Sequence, residues 1–276
     1  MTSKGGTVSK LSDRSLSPRF GMSPRVAESI ASDLRKRILR GESDGAPLPR
    51  QDDLSRQYGV SGPSLREALR ILEAEGLITV RRGKFGGAYV HKPSWSSAAY
   101  ALALSLQGQG VTLSDLAESL LILEPMCAAG CAMREDRADT IVPQLRDSVA
   151  DTEAHIGDDV QFSVSARAFH DLLVGGLPQE SLRLIVRSMV AIWSIQERIW
   201  AETVNAVAQY PSEDAQREAY RTHAALLRLI EEGDVEGARR LSAAHLEASQ
   251  AIVLDRFGAE VVDASSLAAV QAFKSL

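Results

Sequence analysis

Residues 61–84 contain polar and basic side chains whose types and spacing suit contact with DNA. Hydroxyl groups at the start of a helix can hydrogen-bond to phosphates, and an arginine can form paired hydrogen bonds with a guanine edge. The candidates for base or phosphate contact at a helix start are Ser61, Gly62, Ser64, Arg66 and Arg70, and those in a Gly-rich turn are Arg81, Arg82 and Lys84. The alternative is that Arg66 and Arg70 pair with Glu73 and similar neighbours on a solvated helix face.

The charge of the chain is divided unevenly along its length. The 276 residues include 31 Lys and Arg against 36 Asp and Glu, a formal net charge of −5. Residues 1–92 hold 17 basic and 10 acidic side chains, a net charge of +7, and the remainder holds 14 and 26, a net charge of −12. Only the first third is therefore predicted to meet a polyanion, which argues against a protein that coats DNA without regard to sequence.

Three helices and a hairpin are predicted to position these side chains. Apolar residues recur at a helical interval from Val26 to Ile38, then in the short segment DDLSRQYGV, then from Leu65 to Leu72. The period changes in LITV and AYVH, which flank the turn RRGKFGG and predict a two-stranded hairpin. This order is that of a winged helix-turn-helix, in which the helix beginning at Ser61 enters the major groove and the hairpin tip reaches the backbone or the minor groove.

The same stretch resembles the DNA-binding domain of GntR-family transcription regulators. The resemblance is carried by LPRQDDLSRQYGVSGPSLREALRILEAEGLITVRRGKFGGAYV, with its LP start, GVS turn, LREALRILEAEGL helix and Gly-rich wing. It implies that Arg66 and the wing glycines, Gly83 among them, belong to the operator-contacting set. It also implies a ligand-responsive regulator, most often a repressor, that binds a pseudo-palindromic operator in double-stranded DNA as a homodimer.

Two positions depart from the family pattern in the DNA-binding region. The family usually has an arginine where this chain has Asp52, between Gln51 and Asp53, and another where this chain has Gly62. Each missing arginine removes roughly 1–3 kcal/mol of discrimination between bases. An operator inferred from the family is therefore not expected to fit unchanged, and Arg50 is positioned to take over part of the lost contact.

The chain after Pro93 has helical periodicity throughout, which predicts a mainly α protein with an all-α C-terminal bundle. Helices are expected near 97–107, 113–134, 143–155, 159–174, 180–207, 213–232 and 235–257. The order of DLAESLLILEPMCAAGCAM, RAFHDLLV and THAALLRLIEEGDVEGARRLSAAHLEAS resembles the FCD effector domain of the FadR subfamily. The expected organisation is a disordered tail (1–21), a winged helix-turn-helix domain (22–92), a linker with a helix (93–112), an FCD-like effector-binding and dimerisation domain (113–258) and a loosely held C-terminal tail (259–276).

The FCD resemblance also implies a metal site. Many FCD domains bind a divalent metal through three histidines and an aspartate four residues before the first of them; here the histidines are present as His170, His223 and His245, and the aspartate position is Ala166. Three neutral imidazoles can still bind Zn²⁺ or Ni²⁺ and leave a position for water or an effector carboxylate. No cofactor is certain on this basis, because the imidazoles could instead serve as pocket or core residues.

A second departure bears on the small-molecule effector. The family arginine that would face an effector carboxylate is Leu120 in this chain. The loss of a cation and an anionic ligand together favours a large apolar effector, a fatty acyl-CoA or similar acyl ligand, over a small polyacid. The expected pocket comprises Leu120, His170, Trp193, His223 and His245, with further apolar lining from Leu121, Met126, Ile195 and Trp200. The alternative is a metal-containing regulator of a small carboxylate.

Several other classes are disfavoured by the sequence. Cys127 and Cys131 lie four residues apart in an apolar helical pattern and are predicted to be small core residues rather than metal ligands. No segment has an uninterrupted apolar run long enough to cross a bilayer, so a cytoplasmic protein without a membrane partner is expected. A metal-dependent hydrolase built on the three histidines would need a general base, and no acidic partner accompanies them in the sequence. The protein is therefore predicted not to be an enzyme.

Overall fold

The computed structural model describes residues 24–41, 44–81, 83, 86–204 and 212–276, and these are mainly helical. The chain divides into two compact units, one up to Pro93 and one from Ser94 onward. The elements in chain order are α1 (Pro24–Arg40), α2 (Gln51–Tyr58), α3 (Gly62–Ala74), β1 (Ile78–Arg81), β2 (Gly87–Val90), α4 (Trp95–Gly108), α5 (Leu113–Met133), α6 (Ile141–Ala154), α7 (Asp159–Gly175), α8 (Glu180–Val204), α9 (Glu213–Glu232), α10 (Val235–Phe257) and α11 (Leu267–Lys274).

The first unit is a winged helix-turn-helix, as predicted. Helix α3 packs against α1 and α2, and their apolar stripes form one core that includes Leu34, Leu54 and Leu72. The turn between α2 and α3 is tight because Gly59 adopts a left-handed conformation with φ of 64°, which a glycine reaches without strain. Strands β1 and β2 pair antiparallel, with Ile78 opposite Val90.

The second unit is an all-α bundle around α5. This helix packs against α7, α8, α9 and α10, and its buried face runs from Leu113 to Ala132. Cys127 and Cys131 lie on that face, fully buried and free, as predicted. Burial raises the pKa of the Cys131 thiol to about 12, so this thiol is unreactive at neutral pH.

Helix α5 is long and apolar enough by composition to cross a membrane, alone among the helices that the structure describes. Polar and charged residues interrupt the apolar sequence of α5, so the helix is not recognised as a membrane span when an uninterrupted apolar run is required. Of the most apolar stretch of 18 residues in α5, 56% is buried inside the bundle. A helix that is apolar on most of its sides is typical of the centre of a helical domain, and we assign α5 to that class.

The C-terminal segment differs from the predicted loosely held tail. Residues 259–276 contain α11, which packs against α4 and α8 and buries Ala269, Ala272 and Phe273. The Phe273 ring lies 5.3 Å from the Tyr100 ring between centroids. Helix α4, predicted as part of a linker, also belongs to the second unit, where Ala99 and Ala103 are fully buried. The predicted tail at residues 1–21 and the predicted helical residues 205–207 lie outside the described residues.

Candidate functional site

The start of α3 presents backbone and side-chain groups at the surface of the first unit. Ser61 is the N-cap, and its hydroxyl accepts a hydrogen bond from the Ser64 backbone N–H at 3.5 Å. Ser64 itself is only 8% exposed and its hydroxyl lies 3.0 Å from that of Ser61. In this conformation the Ser64 side chain is turned inward and offers little surface to DNA, and its role as a DNA contact stays a prediction.

Arg66 and Arg70 lie in different surroundings on α3. Both are exposed, but Arg70 forms an ion pair of 2.6 Å with Glu67, whereas Arg66 forms none with the residues that the structure describes. Glu73, the partner suggested by the sequence, instead accepts a hydrogen bond from the Val80 backbone N–H at 2.9 Å. The free guanidinium of Arg66 is therefore the more available of the two for an external anion.

Gly62 leaves room for the Arg66 side chain. A Cβ atom at Gly62 would lie 3.3 Å from Arg66 Nη1, and Gln51 Nε2 donates a weak hydrogen bond to the Gly62 carbonyl at 3.5 Å. Arg50 is exposed immediately before α2. The place of the missing family arginine is thus bordered by Arg66 and Gln51.

The wing contributes one described cation, Arg81, and a glycine with positive φ, Gly83. The Arg81 guanidinium lies 4.6 Å above the Tyr89 ring, a cation–π contact that orients it. Gly83 has φ of 111°, a conformation that side chains rarely adopt, and its carbonyl accepts from the Gly86 N–H at 2.8 Å. The predicted contacts Arg82 and Lys84 lie outside the described residues.

Three helices of the second unit bring the three histidines together. His170 lies on α7, His223 on α9 and His245 on α10, and one potential ligand atom from each lies within 4.8 Å of the others. The Nε2 atoms of His223 and His245 are 3.1 Å apart. Two imidazole nitrogens bound to one tetrahedral Zn²⁺ are about 3.3 Å apart, so this pair is spaced closely enough for joint coordination.

The lowered pKa values of two histidines also favour metal binding by the cluster. Burial lowers the pKa of His223 well below its usual range and that of His245 to about 3, and the neighbouring His170 adds to both effects. The Phe169 ring stacks on His223 at 4.2 Å and contributes to that burial. His223 Nδ1 is buried without a hydrogen-bond partner among the described residues. Neutral imidazoles with available lone pairs are the form that binds divalent metals.

A buried carboxylate that the sequence interpretation missed completes the surroundings of His170. Glu124 on α5 is 6% exposed, and its Oε2 lies 3.2 Å from His170 Nδ1. The expectation that no acidic side chain accompanies the histidines is therefore wrong. The contact joins residues 46 positions apart, which sequence spacing cannot reveal, although a glutamate within the otherwise apolar face of α5 was a usable signal.

Further charged groups lie near this cluster. Burial lowers the pKa of Arg167, whose guanidinium donates to the Val190 carbonyl at 3.3 Å, and Asp171, Glu197 and Glu124 act against that shift. Burial raises the pKa of Glu197 on α8. The cluster therefore contains both signs of charge in a desolvated setting, as is common at binding sites.

The predicted apolar pocket residues are mainly packed in the core. Leu120 lies one turn before Glu124 on α5 and is fully buried, and Trp193 lies one turn before Glu197 on α8 and is also buried. Met126, in contrast, is 47% exposed and does not line an interior site in this structure. Leu120 and Trp193 thus adjoin the two glutamates of the histidine cluster along their helices.

Two sequence-family models match the two units. "Bacterial regulatory proteins, gntR family" matches residues 26–90, and "FCD domain" matches residues 115–248. The HTH-type transcriptional repressor NanR of Cronobacter sakazakii is 25% identical over 237 residues, covering 84% of this chain and 87% of that protein. A putative L-lactate dehydrogenase operon regulatory protein of Escherichia coli is 27% identical over 227 residues, covering 80% and 84%.

The fold is also found in a solved structure. Streptococcus agalactiae GntR superposes with a TM-score of 0.58 at 22% identity, covering 82% of this chain and 99% of that one. The motif in the first unit, the helical order of the second and the two domain matches all agree. The chain therefore combines a GntR-family helix-turn-helix domain with a C-terminal FCD domain, the architecture of bacterial GntR/FCD transcription regulators.

Proposed function

We propose that this protein is an effector-responsive transcription regulator, a repressor of the FadR subfamily, that binds a pseudo-palindromic operator as a homodimer in the cytoplasm. The observation that carries the proposal is the exposed start of α3, where Arg66 has no ion-pair partner among the described residues. A helix presented after a tight turn is the element that reads the major groove in helix-turn-helix proteins. The repressor relatives support the direction of regulation.

Electrostatics support the first unit as the DNA-binding part. Residues 1–92 have a net charge of +7, and the remainder a net charge of −12. Arg66 is expected to contact a base edge, since it lies within the first turns of α3, and Arg81 to contact the backbone from the wing. Arg70 is expected to contribute less, because binding DNA would cost it the pairing with Glu67.

Equilibrium binding to a DNA fragment selected by the wild-type protein tests these roles. Arg66→Ala should lose about 1–3 kcal/mol of binding free energy, as expected for an arginine that contacts a base. Arg70→Ala should lose clearly less, and Arg217→Ala, in the second unit, should not change DNA affinity. Equal losses for Arg66→Ala and Arg217→Ala would contradict the assigned recognition surface.

For the effector, the geometry favours the metal-containing alternative over the acyl-CoA prediction. His170, His223 and His245 converge and are suited to hold one Zn²⁺ or Ni²⁺, which when bound would attract an effector carboxylate at a free coordination position. Leu120 and Trp193 are packed in the core, which leaves them little surface for an acyl chain. We therefore propose a small carboxylate as the effector, and a fatty acyl-CoA as the competing one.

Native mass spectrometry of the purified protein distinguishes these effectors. A dimer with a Zn- or Ni-sized adduct that is lost in His223→Ala would support metal-assisted carboxylate binding. A metal-free dimer that retains a lipid-sized adduct would support the acyl ligand instead.

A further inference from the structure

We propose that Glu124 positions His170 for metal binding and supplies the negative charge that Ala166 does not provide. The inference rests on the metal site in the proposed function and assigns a role to a residue outside the three histidines. Ala166 lies one helical turn before His170 on α7, so the two residues share a face of the helix and a carboxylate at position 166 would project on the same side as His170. The structure provides a carboxylate from α5 instead.

The placement of Glu124 is unusual for a glutamate with no role. It lies in the middle of the buried face of α5, between Leu120 and Cys127, where a carboxylate is costly unless it has a partner. Its contact at 3.2 Å is with a ring nitrogen of His170, which is half-buried. The burial of Glu124 is thus matched by a hydrogen bond to a candidate metal ligand.

The contact determines which nitrogen of His170 can bind a metal. A carboxylate accepts the proton of Nδ1, and the neutral ring then carries its lone pair on Nε2. Histidines that bind metals commonly donate their other N–H to a carboxylate, which orients the ring and increases the basicity of the ligand nitrogen. His223 and His245 already face each other through their Nε2 atoms, so all three rings would present the same type of nitrogen.

The charge of Glu124 also balances the charge of the metal. Three neutral imidazoles leave the full charge of a divalent ion uncompensated in a desolvated cluster. Glu124 is in direct hydrogen-bond contact with His170; Glu197 also acts electrostatically on His170, and Arg167 interacts with Glu124, Glu197 and Asp171. A positioning carboxylate leaves the remaining coordination positions open, whereas an aspartate at position 166 would occupy one.

Metal titration of variants tests this role. Protein stripped with a chelator is titrated with Zn²⁺ in competition with a chromophoric chelator, and the absorption spectrum of the Co²⁺-loaded protein reports the coordination geometry. Glu124→Ala should weaken Zn²⁺ binding about 10–100-fold and change the Co²⁺ spectrum. Glu124→Gln keeps a hydrogen-bond acceptor but removes the charge, so it should show a smaller loss of Zn²⁺ affinity. If the alanine variant does not fold, the glutamine variant alone tests the role of Glu124.

Two further variants separate the proposed role from a general structural one. Glu118→Gln changes an exposed glutamate on the same helix and should leave both readouts unchanged. Adding Ala166→Asp to Glu124→Ala should restore Zn²⁺ affinity, because a carboxylate then reaches the cluster from α7. Folding of every variant is verified by circular dichroism.

The possible failures are distinguishable. If the wild-type protein binds Zn²⁺ and Glu124→Ala and Glu124→Gln bind it equally tightly with the same Co²⁺ spectrum, the role of Glu124 is overturned and the metal site stands. If the wild-type protein binds neither Zn²⁺ nor Co²⁺, the metal site is overturned together with the role of Glu124. Neither result alters the proposed DNA-binding function, which Arg66→Ala tests separately.

Discussion

At the scale of single residues, the histidine cluster has a cost that should be visible in the pH dependence of stability. In the folded protein the pKa of His245 is about 3 and that of His223 is well below its usual range. In the unfolded chain both titrate near 6.5, so the unfolded state binds more protons below that pH. The lowered pKa values therefore cost no stability above about pH 6.5, and the free energy of unfolding decreases as the pH falls from 6.5 toward 3.

We predict that the metal-free protein loses stability from pH 6.5 to pH 5 more steeply than His245→Gln does. A buried histidine that is protonated only in the unfolded state lowers the free energy of unfolding by at most about 1.4 kcal/mol per pH unit in this range. The effect of His245 should be smaller, because its side chain is half-buried. Urea unfolding in the presence of EDTA measures both slopes. Parallel curves for the two proteins would mean that His245 is not kept neutral by the fold.

Glu124 also illustrates at this scale why part of the site escaped sequence reasoning. The histidines were found through a family pattern, and their convergence depends on three helices that the sequence indicates well. Glu124 reaches His170 across 46 residues through the packing of α5 on α7, which no local spacing encodes. Ser64 illustrates a local effect instead, because its hydroxyl lies against that of the N-cap Ser61 and is buried, although the sequence alone suggests an exposed position.

At the scale of elements, the contact between α7 and α5 depends on a glycine. A Cβ atom at Gly176 would lie 2.5 Å from Cys131 Sγ, which is too close for any side chain without movement of the core. Gly175, its neighbour, has open space around its Cβ position. These adjacent positions therefore separate the effect of crowding from the effect of removing a glycine.

We predict that Gly176→Ala destabilises the protein by about 1–3 kcal/mol, because it overpacks the interior. Gly175→Ala should be neutral or slightly stabilising, since it lies at the end of α7, where alanine is favoured over glycine. Chemical denaturation of the two variants gives the comparison. Similar stabilities for both would show that the core yields easily between α5 and α7.

Helix α11 is the element that sequence patterns did not reveal. The long helices α5, α9 and α10 have caps and periodic apolar residues, so their bounds were predicted to within a few residues. Helix α11 has eight residues, and its buried face consists of two alanines and Phe273, which is too little periodicity to recognise. Its formation depends on the surfaces of α4 and α8 rather than on its own sequence.

We predict that Phe273→Ala lowers the stability of the second unit by about 3 kcal/mol, because its ring is 5% exposed and contacts Tyr100. Leu267→Ala on the same helix should change stability by less than about 0.5 kcal/mol, since Leu267 is 74% exposed. Thermal unfolding measures both. If Phe273→Ala has a negligible effect, residues 259–276 do not pack stably on the bundle and are a loosely held tail, as the sequence predicts.

At the scale of the whole molecule, the two units have opposite charge and different chemistry. The first is basic and presents on α3 an arginine, Arg66, that forms no ion pair within the described part of the chain, and the second is acidic and contains a buried cluster of ionisable groups. We infer that ligand or metal binding in the second unit changes the DNA affinity of the first, which is a coupling free energy between two sites. That coupling depends on the more basic claim that the chain recognises a DNA sequence.

Selection of genomic DNA fragments by the purified full-length protein tests that claim most directly, with sequencing of the bound fraction at near-physiological salt. We predict strong enrichment of a few fragments that share an inverted repeat, with loss of that enrichment in Arg66→Ala and weaker binding as salt increases. Uniform retention of all fragments, or no retention at any salt concentration, would contradict a sequence-specific regulator.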